Sequence, residues 1–168
     1  DGRVADFYHG EIAARVASAF RQHSGIVTEQ DLAAYEAREV VPLSLDWRGS
    51  TIHTAPLTAG GLSVLEALGT LRALGWENGD PSDPRTTHAR VEVLRLAWHD
   101  RLTVLGDPDA TDVPVARLLS ADYAAHLAQQ VQDAMRREKL IPQKTDGRTA
   151  SGTIHLTAAD SSGMMAAM

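Results

Sequence analysis

Apolar side chains at Ile12, Val16, Ala19 and Phe20 recur close to the helical repeat, and Ser24-Gly25 ends the run. The pattern predicts one helix over residues 4–23. Thr28 is placed to cap a short second helix reaching about residue 37, with Asp31 completing a variant of the capping box. The period then changes. Alternating and β-branched residues over 40–45 and 50–54 flank Trp47-Arg48-Gly49 and predict a hairpin, with Pro42 at an edge or initial strand position. Helical spacing returns over 62–74, with Leu62, Leu65, Leu68 and Leu71 on one stripe. It continues in the long amphipathic stretch 86–105 and again over 121–139, where Ser120 stands as N-cap. A loop at 56–61 and a Gly/Pro/Asp-rich connection at 75–84 separate these segments.

Residues 139–152 lose all apolar periodicity and collect Lys, Gln, Asp, Gly, Ser and Thr, which reads as a flexible linker. An extended run follows over 153–160 and stops at Ser161-Ser162-Gly163. As a strand it places Thr153, His155 and Thr157 on one face, with Ile154, Leu156 and Ala158 on the other. Met164, Met165 and Met168 read as core fill at its end. The expected organisation is therefore a mainly helical region over 1–138, a linker over 139–152 and strand structure over 153–168. The fold class is α+β, mostly helical, with one hairpin and a C-terminal strand.

Composition narrows the function. Hydrophobic residues make up 43% of the 168 and charged residues 23%, ordinary values for a domain with its own core. Aromatics are only 5%, and alanine supplies much of the apolar content, so close, alanine-lined helix contacts are expected. A net charge of −6 argues against nucleic acid as a partner. No cysteine is present, which excludes disulfides and thiolate chemistry. No apolar run approaches the ~20 residues that span a bilayer, and Asp1-Gly2-Arg3 opens no signal peptide.

The candidate chemistry sits at Gly152-Thr153. A threonine becomes a nucleophile when it stands at a free N-terminus, where its own α-amine accepts the hydroxyl proton. Thr153 reaches that state only if the chain is cut before it. Glycine at 152 suits such a cut, because a residue without Cβ tolerates the backbone strain of attack by the following hydroxyl. The freed amine has an unperturbed pKa of roughly 7.7–8.0, suited to a general base near neutrality. Against this stands the plainer reading that Thr153 is an ordinary strand residue. Other candidates are weaker. Gly60-Gly61 precedes a helix but lacks the rest of a phosphate loop. His88, Glu92 and His99 share one helix without a consistent metal-ligand spacing, so no metal site is expected. Asp100-Arg101 reads as a local ion pair or a tie from helix to loop.

The stretch Thr153-Ile154-His155-Leu156-Thr157, followed by Asp160 and Gly163, resembles the start of the small subunit of gamma-glutamyltranspeptidases. Further motifs fit the same family in order and spacing: Phe7-Tyr8 with Gly10-Glu11-Ile12-Ala13, and Gly25-Ile26-Val27-Thr28 with Asp31-Leu32 and Tyr35. Pro42-Leu43, Pro56 with Gly60-Gly61, Asp100-Arg101 and Gly106-Asp107-Pro108 continue the series. The resemblance implies a piece of the four-layer αββα N-terminal-nucleophile hydrolase fold, covering the end of a large subunit and the start of a small one. It implies self-cleavage between Gly152 and Thr153 and Thr153 as the catalytic nucleophile, and the strand face shared with Thr153 makes His155 and Thr157 candidate site-lining residues. It implies acyl transfer from a gamma-glutamyl small molecule of glutathione type to water or an amine, with no cofactor and no metal. The remaining segments of the precursor would be the protein partner, giving a heterodimer after cleavage, in a periplasmic or secreted setting with the cytoplasm left open.

Two departures qualify the substrate. Ile154 replaces the small residue usual after the nucleophile, and Met164-Met165-Ala166-Ala167-Met168 replaces a polar and threonine-bearing stretch. A relative acting on another amide or C–C bond in secondary metabolism fits these changes, and so does a non-catalytic, unprocessed helical scaffold. The supporting threonine, the oxyanion-hole residues and the carboxylate-binding arginine of the family have no counterparts within 1–168, so the isolated chain is expected to be inactive.

Overall fold

The computed structural model describes residues 2–57, 59–76, 79–80, 82–142 and 157–167. The chain divides into two compact units: Asp1–Leu43 with His53–Pro56, and Ser44–Ile52 with Leu57–Met168.

In the first unit, helices α1 (Gly2–His9), α2 (Glu11–Gln22) and α3 (Glu29–Ala33) pack on one another, with Ala13 and Ala17 buried. The single helix expected over 4–23 is broken at Gly10, whose backbone is extended at φ −120° and ψ −151°. The break has a local cause. The Asp6 carboxylate folds back to accept the Glu11 N–H at 2.7 Å and so caps α2. A Cβ on residue 10 would stand 1.9 Å from Asp6 Oδ1, so only glycine leaves room for that carboxylate. Thr28 caps α3 as the sequence predicts, its hydroxyl accepting from Asp31 N while the Asp31 carboxylate accepts from Thr28 N at 2.8 Å. Yet α3 ends at Ala33 rather than near residue 37. Leu32 alone is half-buried there, and Ala33, Ala34, Tyr35 and Ala37 all face solvent, so further turns would bury nothing.

Strands β1 (Leu43–Trp47) and β2 (Ser50–Thr54) form the expected hairpin, displaced toward the C-terminus because Val40 and Val41 lie exposed outside it. Its two-residue turn, Arg48-Gly49, has φ of 51° and 80°, the doubly positive form that matches the right-handed twist of paired strands.

The second unit is built on α4 (Gly61–Ala73), α5 (Pro84–Thr103), α6 (Val115–Leu118) and α7 (Ala121–Arg137). Local signals set the ends of these helices. Asp83 caps α5 by accepting the Arg85 N–H, with Pro84 in the first helical position, two residues earlier than the apolar pattern alone suggests. Ser120 caps α7 by accepting the Tyr123 N–H, and Glu138 closes it in a left-handed conformation at φ 51°. The four-residue α6 has no counterpart in the sequence reading.

The core gathers Leu62, Leu65, Ala89, Val93, Leu118 and Val131, all at 1% exposure or less. Small residues allow close approach: a Cβ on Gly69 of α4 would already stand 3.9 Å from Ala124 Cβ on α7. The buried face of α4 differs from the predicted leucine stripe. Leu68 and Leu71 are only half-buried, while Glu66 and Thr70 lie inside with Leu62 and Leu65.

At the C-terminal end β3 (Thr157–Ala159) pairs antiparallel with β4 (Met165–Ala167), setting Thr157 opposite Ala167 and Ala159 opposite Met165. Asp160 organises the turn. Its Oδ1 accepts Ser162 N at 2.9 Å, Ser162 Oγ at 2.6 Å and Met164 N at 3.0 Å, and Gly163 supplies φ 85°. Met164, expected as core fill, is 71% exposed because it leads out of this turn.

Candidate functional site

Of the residues singled out for chemistry, Gly152, Thr153 and His155 lie outside the described residues. Thr157 is the first residue of β3. The structure therefore supplies the two flanks of the candidate site rather than its centre.

The downstream flank is the Asp160 turn, which reverses the chain shortly after Thr157. Three hydrogen bonds converge on one carboxylate oxygen there, and they hold the Asp160 carboxyl below its usual range, the Ser162 hydroxyl contributing most.

The upstream flank is a clamp where the chain leaves α7. Glu92, wholly buried on α5, meets Arg95 Nη1 at 2.7 Å through Oε1 and accepts the Ile141 N–H at 3.1 Å through Oε2. Arg95 Nη2 donates in turn to the Ile141 carbonyl at 3.1 Å. Both backbone groups of Ile141 are thus held by one ion pair, and its side chain packs against the core of α4, α5 and α7. Within the linker expected over 139–152, this residue is fixed to the helical body. Sequence reasoning weighed Glu92 only as a metal ligand beside His88 and His99. Its partners are instead a cation three residues on and a peptide group far along the chain. Among the described residues no three His, Asp or Glu side chains come together to hold a metal ion, and no helix is long and apolar enough to cross a membrane.

A second constellation lies where α4, α5 and α7 meet. Asp100, 7% exposed, accepts the Tyr123 phenol at 2.6 Å through Oδ2. Burial, reinforced by the Asp100 carboxylate, pushes the Tyr123 phenol up to about 12. The Arg117 guanidinium lies over the Tyr123 ring, 4.5 Å from its centroid. Glu66, 3% exposed, completes the group from α4 beside Asp100, and burial followed by the charge of Asp100 raises its carboxyl to about 8. Arg101, the neighbour of Asp100, turns away: it donates to the Ala59 carbonyl at 3.4 Å and sits over Trp98. The expected tie from helix to loop is therefore made by Arg101, while Asp100 ties helix to helix. A signal for Glu66 was present in the sequence, as the one carboxylate set among the leucines of 62–74.

The fold defines the class. The chain is an α+β portion of the N-terminal-nucleophile hydrolase fold. It overlays a gamma-glutamyltranspeptidase from Pseudomonas nitroreducens complexed with L-DON at a TM-score of 0.67 and 30% identity, covering 81% of this chain and 43% of that one. It overlays a cephalosporin acylase from Bacillus halodurans at 0.65 and 33% identity, covering 75% and 23%.

The family model for gamma-glutamyltranspeptidase matches residues 1–168, and the chain belongs to that family. A glutathione hydrolase proenzyme from Pseudomonas aeruginosa is 34% identical over 171 residues, which is 96% of this chain and 30% of the relative. The chain thus spans about a third of the length of the curated relatives it matches.

Proposed function

We propose that this chain belongs to a gamma-glutamyl hydrolase or transferase that matures by self-cleavage between Gly152 and Thr153. The observation that carries the reading is the family match along 1–168, within which Gly152-Thr153 stands a few residues before β3 and the Asp160 turn in the sequence. The Pseudomonas aeruginosa relative is named as a proenzyme, which supports processing.

The chemistry follows from the residue types. The Thr153 hydroxyl attacks the Gly152 carbonyl, the peptide C–N bond breaks, and the acyl group passes to the threonine oxygen as an ester. Water cleaves that ester, leaving a carboxylate on Gly152 and a free α-amine on Thr153. In turnover the amine takes the Thr153 hydroxyl proton as the oxygen attacks a gamma-glutamyl amide. The proton then passes to the leaving amine, and water or an acceptor amine releases the gamma-glutamyl group. His155 and Thr157, two and four residues beyond the nucleophile, are the candidates to line the site. The two polypeptides remain together as a heterodimer, and the 168-residue chain alone is inactive.

A second reading, an acylase for another amide, draws on the overlay with the cephalosporin acylase and on a relative named acylase ACY 1 proenzyme, 27% identical over 162 residues. Ile154 and Met164, both unusual for the family, point the same way.

Intact mass of the full-length protein, alongside Thr153→Ala, tests the proposal. Two polypeptides with a junction at Gly152/Thr153, absent in the variant, are expected. An uncut chain in both would leave Thr153 a strand residue and favour a non-catalytic scaffold. Release of amine from gamma-glutamyl amides against other acyl amides then separates the two enzymatic readings.

A further inference from the structure

The Glu66–Asp100 pair does nothing in the chemistry above, and its surroundings are unusual for two acids. Both side chains are buried, at 3% and 7% exposure. Among the described residues neither Glu66 oxygen meets a hydrogen-bond donor, although both are shut off from solvent. The neighbouring polar group is the Asp100 carboxyl, which as a carboxylate offers only lone pairs. Asp100 is itself supplied by the Tyr123 phenol at 2.6 Å. From α6 the Arg117 guanidinium faces the group, but it lies over the Tyr123 ring and acts on Glu66 through its charge. From α7 the groups are Tyr123 and, stacked on it at 6.1 Å, His126. On α5 the adjacent Arg101 is committed to the Ala59 carbonyl.

Two ionised carboxylates in that setting would repel each other and leave both Glu66 oxygens desolvated without a partner, a combination folded proteins avoid. One proton removes both penalties, since a protonated Glu66 donates to Asp100. We propose that Glu66 and Asp100 act as a single acid that holds one proton between them inside the α4–α5–α7 core, making the packing of these helices loosen as pH rises.

The sign follows from proton counting. In the unfolded chain Glu66 releases its proton near the ordinary glutamate value of about 4.3. In the folded chain burial holds the proton up to about 8. Between those limits the folded state binds more protons, so stability falls as pH rises through the window. Below it Glu66 is protonated in both states and adds no pH dependence, and above it the loss levels off. Glu66→Gln is nearly isosteric, and its amide donates to Asp100 at every pH.

The test is the melting temperature of the full-length protein between about pH 5 and about pH 8, compared with Glu66→Gln and Asp100→Asn. The wild type is expected to lose several degrees across the window. Glu66→Gln should flatten the profile, melting higher than wild type near pH 8 and close to it near pH 5, whereas Asp100→Asn leaves Glu66 buried and should retain part of the slope. Parallel profiles for wild type and Glu66→Gln would overturn the proposal. Infrared spectra of wild-type protein carrying 13C-labelled glutamate and aspartate give a readout independent of the variants. A protonated carboxylic acid band at neutral pH, lost as pH rises past about 8, is expected, and its absence at neutral pH would overturn the shared proton.

Discussion

The Tyr123 phenol donates to Asp100 Oδ2 across 2.6 Å, joining the first turn of α7 to the last turn of α5. The bond places a donor against a buried carboxylate and closes the side of the core where Glu66 enters from α4. Tyr123→Phe keeps the ring and its contact with Arg117 but deletes the donor. Hydrogen bonds to charged groups contribute about 1.5–3 kcal/mol, so the variant should lose roughly that much in denaturant unfolding. A loss within error of zero would mean that solvent reaches Asp100 and replaces the phenol.

Glu92 carries more than its own charge. It neutralises Arg95, accepts the Ile141 N–H and aligns Arg95 on the Ile141 carbonyl. Glu92→Ala removes the centre of this arrangement and leaves the partly buried Ile141 N–H without its acceptor. Breaking a buried pair from one side costs about 3–5 kcal/mol, and because Arg95 keeps some solvent access the lower end is expected here. Hydrogen exchange should show the Ile141 amide losing protection before amides within α5. Equal protection in the variant would show that side-chain packing, not the clamp, holds residue 141.

Gly10 is a steric prediction. Its φ of −120° is open to any residue, so Gly10→Ala carries no conformational penalty of its own. The added methyl instead collides with Asp6 Oδ1 and drives that carboxylate off the Glu11 N–H. The expected cost is about 1 kcal/mol, that of a lost helix cap. Because Asp6 and Gly10 share the Oδ1 contact while the methyl also meets the Asp6 Cα at 2.9 Å, Asp6→Ala combined with Gly10→Ala should cost less than the sum of the two but more than Asp6→Ala alone. Additive losses in thermal unfolding would show that the glycine serves some other purpose.

Much of the fold was legible because its signals are local. The Thr28–Asp31 capping box, the Ser120 cap and the Asp160-Ser161-Ser162-Gly163 turn each operate within four residues. Helix α7 announces itself by its apolar spacing, α4 and α5 by long apolar-bearing runs between turn signals, and the Arg48-Gly49 turn by its glycine. The family resemblance, too, was carried by short motifs and named Thr153 as the residue to test. What the sequence read wrongly were places where one element answers another. A glycine inside a helical pattern looks tolerable until the Asp6 carboxylate needs its space. A leucine stripe at 62–71 looks like the buried face until α5 and α7 close over Glu66 and Thr70 instead.

The chain's local chemistry, then, was determined by residue order: which residues cap the helices and where the turns fall. Tertiary structure alone decided which charges are buried and what they meet. Glu92 and Ile141 are 49 positions apart and Asp100 and Tyr123 are 23 apart. No local pattern encodes such pairs, because the cost of burying a carboxylate is set by whatever the rest of the chain packs against it.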